Sequence, residues 1–296
     1  MLKAYKYRLL PSKEQEGMLS NWMGVCRFVY NLALETRIAS WVAAQKNVSW
    51  FDLSKQLTGL RNDHEWIKKC PRQCLESSLE NLEKSYKSFF AGRGFPKFKK
   101  KDSRKTVIFS HDSVVKSGSI RLTTIGWIKF IEHRPLGIGE IRTVTVSKTT
   151  TGKYFVSILV KDESESPIKR RVNPETTAGV DVGLKTFAVL SDGTKFENPK
   201  YLHHQLKRLR IEQRTLARRY KKGLKKKEQS KGWHKQLLVV AKLHEKIKNQ
   251  RADFLHKAST SIINKYDTIC MEDLNVSGMI KNGNLSKAIS DVGWYE

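Results

Sequence analysis

Two acidic positions in this sequence stand at the ends of apolar runs, where a carboxylate could bind a metal ion. Asp181 lies inside the run Thr177-Ala-Gly-Val-Asp-Val-Gly183, and Glu272 with Asp273 ends a second apolar run that begins after Asp267. A carboxylate in an apolar strand costs free energy unless it is hydrogen-bonded, paired with a cation or bound to a metal. Two strand-end carboxylates therefore suggest a divalent-metal site, such as that of a metal-dependent nuclease.

The glycine that follows Asp181 leaves two other interpretations open. An Asp-x-Gly after a strand also occurs in actin-like ATPases and sugar kinases, where the next turn cradles phosphate, and it can simply cap a turn. A kinase would need further phosphate-loop and adenosine-loop glycines downstream, and this sequence shows none. On these residues alone, the metal site and the structural turn both stay open.

The elements that would position these acids are predicted from the spacing of apolar residues. Residues 178–182 resemble a short buried strand, Gly183 permits a sharp turn, and residues 187–190 return as the second strand of a β-hairpin. A very basic helix at 201–222 and a longer helix ending near 262 follow. We expect this helical hairpin to pack outside the sheet, so the two acidic strands can be neighbours despite their separation in sequence.

The first half of the chain shows a helical segment enclosed by strands. Residues 3–10 alternate like a strand, and Pro11-Ser12 then caps a helix. The helical period continues to Phe90, where Gly92-Arg-Gly-Phe-Pro96 ends it. Short alternating runs at 106–160 predict an antiparallel sheet or small barrel, which the N-terminal strand completes.

The charge balance predicts the kind of partner. The 296 residues include 56 Lys and Arg against 29 Asp and Glu, which gives a formal net charge of +27. This excess is larger than solubility alone favours, so a polyanion, above all nucleic acid, is the expected partner. The hydrophobic content of 39% fits a folded protein with two or three small domains.

Other classes of protein are disfavoured. No run approaches the roughly 18 apolar residues that a membrane span needs, and no signal-peptide pattern precedes the first lysine. The four cysteines give one C-x-x-x-C pair, Cys70 and Cys74, so neither a zinc site nor a disulfide framework is expected. A reducing, cytoplasmic compartment is predicted, with Cys270 as a core residue of its strand.

The positive charge is concentrated in two clusters. One lies between Lys97 and Lys105, and the other, from Lys207 to Lys227, contains a single acid, Glu212. A solvated surface would mix charges of both signs, whereas cations interleaved with aromatic residues suit phosphate contact and base stacking. The predicted nucleic-acid-binding residues are Lys97, Phe98, Lys99, Lys100, Lys101, Lys207, Arg208, Arg210, Arg214, Arg218, Arg219, Lys221 and Lys222.

Several motifs agree with one protein family. They are Gly92-x-Gly-Phe-Pro-Lys-Phe-Lys-Lys-Lys101, Ala178-Gly-Val-Asp-Val-Gly183, Arg251-Ala-Asp-Phe-Leu-His-Lys257, Met271-Glu-Asp-Leu-Asn-Val-Ser-Gly-Met279 and Leu285-Ser-Lys-Ala-Ile-Ser-Asp-Val-Gly-Trp294. In this order, and over essentially the whole chain, the sequence resembles the TnpB (OrfB) proteins of bacterial and archaeal insertion sequences. These are the small relatives of type V CRISPR effectors.

The resemblance implies an α+β multidomain fold. Its parts would be a wedge-like antiparallel β-barrel at 1–10 and 95–165, a helical recognition domain at 11–94, and a RuvC-like α/β domain of the ribonuclease H fold at 166–296. The last domain would carry a basic helical insertion at about 200–262 and would be incomplete at its C terminus. A polar segment at 162–174 is predicted to be the linker.

The resemblance also implies a site and its partners. The family's first catalytic Asp matches Asp181 and its catalytic Glu matches Glu272, both as ligands of Mg²⁺, with two ions in a complete site. Asp273 would face the other side of a continuing strand and is expected to be structural. The implied partners are a guide RNA from the transposon end and double-stranded target DNA with a short adjacent motif, at the nucleoid of a prokaryotic cytoplasm.

Part of the family pattern is unmatched in this sequence. Family members continue past the position of Glu296 with a zinc ribbon and the third catalytic Asp, and Asp291 matches a helical Ile-x-Asp-x-Gly-Trp segment instead. With two of three carboxylates, these residues are expected to cleave DNA poorly. The leading expectation is a transposon-encoded, RNA-guided DNA endonuclease whose activity is impaired in this chain. The alternative is a nuclease-deficient, RNA-guided DNA-binding repressor.

Overall fold

The computed structural model describes residues 1–101, 105–162 and 172–294. The chain splits into two compact units, Met1–Ser166 and Pro167–Glu296. Most of the predicted linker at 162–174 lies outside the described residues. Within the described ranges, no helix is long and apolar enough to cross a membrane.

The described residues of the first unit form four helices, and the longest begins at the predicted cap. The Ser12 hydroxyl accepts a hydrogen bond from the Gln15 backbone N–H at 3.3 Å, and the Gln15 side chain accepts one from the Ser12 N–H at 3.0 Å. This reciprocal capping box pairs two of the N–H groups that a helix start leaves free. The helices are α1 Lys13–Ala44, α2 Trp50–Asp63, α3 Glu65–Lys68 and α4 Arg72–Phe90.

Where the structure describes the first unit, seven antiparallel strands form its sheet. Their order is β2-β6-β7-β1-β5-β4-β3, so the N-terminal strand pairs with β7 on one side and β5 on the other. The strands are β1 Leu2–Leu10, β2 Lys105–Phe109, β3 Val114–Lys116, β4 Ser119–Leu122, β5 Gly126–Ile131, β6 Gly139–Lys148 and β7 Tyr154–Asp162. The predicted antiparallel sheet, completed by the N-terminal strand, is confirmed.

One hydrophobic core joins this sheet to the helices. Alternation along β1 buries Tyr7 and Leu9 in the same cluster as Trp22 of α1 and Leu75 of α4. The sheet is a curled half-barrel whose edge strands, among the described residues, are β2 and β3. The division into a wedge-like barrel and a separate helical recognition domain stays a prediction.

The sheet of the second unit carries the candidate acids. It has the order β10-β9-β8-β11, with β8 Thr177–Val182, β9 Thr186–Leu190, β10 Lys195–Glu197 and β11 Thr268–Met271. The β8 and β9 strands form the predicted antiparallel hairpin, whereas β11 pairs with β8 in parallel. A parallel neighbour needs a long crossover, and the two long helices between β10 and β11 lie in that connection.

The described part of the second unit contains four helices, and the longest of them packs on this sheet. They are α5 Tyr201–Arg219, α6 Lys231–Lys265, α7 Val276–Met279 and α8 Ser286–Val292. The first half of α6 packs on α5 through Leu209, Val240 and Leu243. Near the C-terminal end of α6, Ile262 joins a core formed by alternate residues of β8 and β9, including Val180 and Leu190.

One sequence expectation about this sheet is wrong. Cys270 was expected in the core, but it is exposed. The reason is that β11 is an edge strand, and its side chains from Ile269 to Met271 are largely uncovered in the described part of the chain. An apolar sequence therefore predicted the strand correctly but not its burial.

Candidate active site and nucleic-acid surfaces

The pairing of β8 with β11 places Asp181 and Glu272 at equivalent positions. Met271 lies opposite Val180 in the parallel ladder, so Glu272, the first residue after β11, follows at the level of Asp181. Paired residues of neighbouring strands share a face, and neighbouring strands lie about 5 Å apart. Two acids 91 positions apart in sequence are thus brought to one edge of one sheet face.

The face that carries these acids is an open groove. It has a volume of about 470 Å³ and is lined by residues of β8, β9 and β11. Asp181 of β8 is among them, and Ser191 and Glu272 line the groove beyond the strand ends. Both carboxylates are exposed, and within the described residues neither accepts a hydrogen bond or forms an ion pair. Unpartnered carboxylate oxygens are the ligands that Mg²⁺ prefers, so this pair suits such an ion.

Local contacts fix the strand that bears Asp181. A Cβ at Gly183 would lie 2.8 Å from the Thr186 carbonyl oxygen, so only glycine fits the close backbone approach that closes the hairpin. On the other side, Ser191 donates its N–H to the Gly179 carbonyl at 2.9 Å and accepts the Gly179 N–H at its hydroxyl, at 3.2 Å. These contacts fix the backbone on both sides of Asp181.

Asp192 secures the second helix to this sheet. Its carboxylate accepts hydrogen bonds from the Lys265 ammonium and the Tyr266 hydroxyl at the end of α6, and from the Thr194 N–H. The Lys265 ammonium and then these hydroxyl and amide donors hold the pKa of Asp192 well below its usual range. In the sequence, Ser191-Asp-Gly193 predicts a turn, and an aspartate in such a turn often bonds to its own loop. The contacts with α6 have no signal in the sequence.

Asp273 and Asp291 differ from this pair. Asp273 is exposed and follows Glu272 outside the ladder, so its assignment as structural stays a prediction. Asp291 is buried in α8 and accepts the N–H groups of Leu202 and His203 at 2.8 and 3.1 Å. It therefore caps α5. Among the described residues, no group of three His, Cys, Asp or Glu is placed to hold a metal.

A stripe of cations runs along the outer face of α5. Lys207, Arg210, Arg214 and Arg218 recur at spacings of three and four residues, which places them on one side of a helix, and all four are exposed. The single acid of this segment, Glu212, turns toward α6 and accepts a hydrogen bond from Gln236. We call these four residues the α5 stripe; Arg208, Lys221 and Lys222 are also exposed, outside it.

Arg219, also predicted to bind nucleic acid, has contacts within the protein. Its guanidinium donates to the Gly232 carbonyl at 3.0 Å and to the Gln236 side chain at 3.3 Å. These bonds join the end of α5 to the start of α6. The sequence does not distinguish Arg219 from the other arginines of this basic helix, because its partners lie in α6.

The loop after α4 holds the other predicted basic cluster. Lys97, Phe98, Lys100 and Lys101 are exposed. Lys99 instead is half-buried, with its ammonium 3.7 Å from the ring centroid of Tyr30, and burial lowers the pKa of Lys99. Its backbone exchanges two hydrogen bonds with the Asn31 side chain, at 2.8 and 3.0 Å, so Lys99 anchors the loop to α1.

Comparison with protein families agrees with the motifs. A family model described as "Probable transposase" matches residues 144–283, and one described as "Helix-turn-helix domain" matches residues 1–46. The second description does not fit the observed structure of residues 1–46, which consists of β1 followed by the single long helix α1. A solved structure described as "Cryo-EM structure of the Cas12f1-sgRNA-target DNA complex" aligns with 12% identity and a TM-score of 0.39, over 100% of this chain and 87% of that one.

Curated relatives cover nearly the whole chain. "Putative RNA-guided DNA endonuclease" of Streptomyces pristinaespiralis is 35% identical over 303 residues, which span 99% of this chain and 72% of the relative. "Putative RNA-guided DNA endonuclease InsQ" of Escherichia coli K12 is 33% identical over 318 residues, which span 100% and 75%. A more distant relative is "TnpB-like protein L79" of Acanthamoeba polyphaga mimivirus, at 20% identity. This identity over almost the full sequence shows that the chain belongs to the TnpB (OrfB) family.

Proposed function

We propose that this protein is a metal-dependent, RNA-guided DNA endonuclease with its cleavage site at Asp181 and Glu272. The observation that carries the proposal is their placement side by side on one open sheet face, without protein partners among the described residues. The names of the relatives at 33% and 35% identity support the reaction class. In this proposal, residues 166–296 form the RuvC-like domain, and residues 1–10 with 95–165 and residues 11–94 form the wedge and recognition domains.

The residues of the groove would prepare the site for phosphodiester hydrolysis. When bound, a pair of Mg²⁺ ions supplies activation of a water molecule and charge stabilisation of the leaving oxygen. Asp181 and Glu272 would hold that pair from neighbouring strands. The backbone contacts of Gly183 and Ser191 keep the strand that bears Asp181 in place, which a site of this kind requires.

The basic surfaces would hold the nucleic acids. In this proposal a guide RNA from the transposon end pairs with one strand of the target DNA next to a short adjacent motif. The protein binds the sugar-phosphate backbone of the heteroduplex, while base pairing supplies the sequence specificity. The exposed cations of the α5 stripe and of the loop at 97–101 support this division of roles, because phosphate contacts position a nucleic acid without reading its sequence.

A second candidate function rests on the number of carboxylates. Two negative charges face a metal pair that carries four positive ones, and Mg²⁺ requires near-octahedral geometry that two side chains fix poorly. No third acid joins the pair in the described residues. We therefore propose that residues 1–296 cleave slowly. The alternative is a nuclease-deficient, RNA-guided DNA-binding repressor.

The test uses the guide-loaded chain and a matched DNA duplex in Mg²⁺. Binding is followed by mobility shift and cleavage by gel, for the native sequence and for Asp181→Ala, Glu272→Ala and Asp273→Ala. We expect guide-dependent binding by all four proteins, slow cleavage by the native sequence and by Asp273→Ala, and none by the other two. Asp273 is the matched control because it is an exposed acid next to Glu272.

Each result separates the candidates. Binding without cleavage by the native sequence supports the repressor. Cleavage that persists in Asp181→Ala, or that is lost in Asp273→Ala and kept in Glu272→Ala, contradicts the assigned site. Loss of guide-dependent DNA binding in every protein would show that neither RNA-guided function is correct.

A further inference from the structure

A cluster of four aromatic rings lies at the end of α4, and none of them belongs to the predicted nucleic-acid-binding residues. Tyr86 and Phe90 are one helical turn apart with ring centroids at 6.4 Å, and Phe89 lies 5.3 Å from Phe90. Phe95 returns from the loop to contact Phe89 at 5.2 Å and Tyr86 at 5.8 Å, in both cases edge to face. Phe90 nevertheless keeps 80% of its surface exposed. The cluster is packed within itself and presents a ring to solvent.

The backbone at the helix end builds this cluster. The Gly92 N–H donates to the Phe89 carbonyl at 2.9 Å and the Arg93 N–H to the Ser88 carbonyl at 3.0 Å. These are the paired bonds of a Schellman motif, and Gly92 supplies its left-handed residue at φ 83°. The chain reverses here, which returns Phe95 to the side of α4.

The ring at the base of the cluster is fixed by the neighbouring helix. The Arg37 guanidinium of α1 lies 4.9 Å from the ring centroid of Tyr86 and forms an ion pair with Glu83. Further along the loop, Asn31 clamps the backbone of Lys99 to the same helix. The aromatic surface is therefore held in position before any partner binds, and such preorganisation lowers the entropic cost of binding.

The exposed charge beside Phe90 is positive, and Glu83, the acid next to Tyr86, is paired with Arg37. The segment 84–101 contains no Asp or Glu. Its exposed cations are Lys84, Lys87, Arg93, Lys97, Lys100 and Lys101. An exposed ring flanked by exposed cations is complementary to a chain of phosphates that carries flat, apolar groups.

Unpaired RNA offers these groups in accessible form. The bases of duplex DNA are stacked inside the helix, whereas loops and ends of RNA can place a base on an aromatic side chain. Stacking of this kind tolerates any base, because every base has a π-face. The composition of this surface therefore favours an unpaired RNA segment over a duplex.

We propose that Phe90, backed by Tyr86 and Phe89, is a stacking platform for an unpaired base of the guide RNA. Lys87, Arg93 and Lys97 bind the adjoining phosphates. This proposal rests on the proposed RNA-guided function and specifies which part of the RNA this surface binds.

The test measures binding of an RNA hairpin with an adenosine loop that carries one 2-aminopurine, and of a blunt RNA duplex of the same length. We expect Phe90→Ala to weaken hairpin binding about tenfold, as loss of one stacked base does, and to remove the quenching of 2-aminopurine. Phe90→Trp should restore both, and duplex binding should not change. Phe51→Ala is the matched control, because Phe51 of α2 is 77% exposed and should have no effect.

Salt dependence distinguishes stacking from charge. Phe90→Ala should leave the slope of log affinity against log salt unchanged, whereas Lys97→Gln should reduce it by about 0.7, the value for one single-strand phosphate. Equal effects of Phe90→Ala and Phe51→Ala would overturn the platform while RNA binding stands. Absence of RNA binding by the native protein would instead overturn the proposed function. Phe90-dependent binding of single-stranded DNA or anionic phospholipid vesicles in place of RNA would overturn the assignment of the occupant.

Discussion

At the scale of single residues, the surroundings of each acid decide its role. Asp181 and Glu272 are exposed and unpartnered within the described residues, whereas Asp291 is buried and bonded to two backbone N–H groups. The cap position of α5, Lys200, has a left-handed backbone and no side-chain cap bond. Asp291 therefore supplies from α8 the acceptor that the start of α5 lacks locally.

Removal of this acceptor should lower stability and leave the proposed cleavage site intact. We expect Asp291→Ala to reduce the free energy of unfolding by about 1 kcal/mol, the usual cost of a lost helix cap, and Asp291→Asn to lose less because its oxygen can still accept. Thermal unfolding measures this change. If Asp291→Ala kept its stability but lost cleavage as Asp181→Ala does, Asp291 would be a metal ligand and its role as a cap would be secondary.

At the scale of elements, α6 has two roles. It lies in the crossover between β10 and β11, and its C-terminal end anchors the turn after β9. Its first half packs on α5, and its end is joined to the turn after β9 by the contacts of Lys265 and Tyr266 with Asp192. The sheet edge that holds Asp181 and Glu272 depends on this crossover, because it sets where β11 pairs with β8.

The Asp192 contact predicts a pH dependence of stability. The pKa of Asp192 is lower in the folded than in the unfolded chain, where it is about 3.9, so its contribution is present above that pH and is lost as the pH falls. We expect Asp192→Asn to melt lower at neutral pH and to lose less stability between about pH 5 and pH 2. Asp253→Asn, which removes the exposed pair with Lys257, is the control and should follow the native pH profile. If Asp192→Asn kept the pH profile of the native protein, the stabilising role of the contact between Asp192 and the end of α6 would be contradicted.

The α5 stripe predicts a change in salt dependence. Replacing its four cations by Gln should lower the slope of log affinity against log salt by about 3, because each phosphate contact contributes roughly 0.7 to 0.9. Arg219→Gln should mainly lower the melting temperature, since its guanidinium bonds to α6. Titration of RNA at several salt concentrations, together with thermal unfolding, checks both. An unchanged slope in the fourfold variant would exclude the α5 stripe as a phosphate contact.

At the scale of the whole molecule, the net charge of +27 dominates association. A charge of this size attracts polyanions over long distances and falls in effect as salt screens it. It gives affinity without sequence preference, and in the proposed function a paired guide supplies that preference.

We therefore expect the purified protein to carry RNA from its expression host. The ratio of absorbance at 260 to that at 280 nm should exceed that of clean protein, and phenol extraction should recover RNA that ribonuclease destroys. High salt should release it, because phosphate contacts would dominate the proposed interface. Purified protein that yields no extractable RNA at low salt would contradict this prediction.

The sequence by itself determined the local elements and predicted the class of partner. Pro11-Ser12 predicted a helix start, Gly92 the end of the helical segment, and the run around Asp181 a hairpin, because each depends on contacts within a few residues. The charge balance likewise needs no structure to predict a polyanion. Residue types and short spacings were sufficient for these conclusions.

The tertiary structure decided which residues meet. Pairing of β8 with β11 set Glu272 beside Asp181, while burial made Asp291 a helix cap and Lys99 a loop anchor, and the edge position of β11 left Cys270 exposed. Identical residue types thus received different roles. The physical reason is that burial and partners come from elements far apart in sequence, and their register is fixed only when the crossover helices pack.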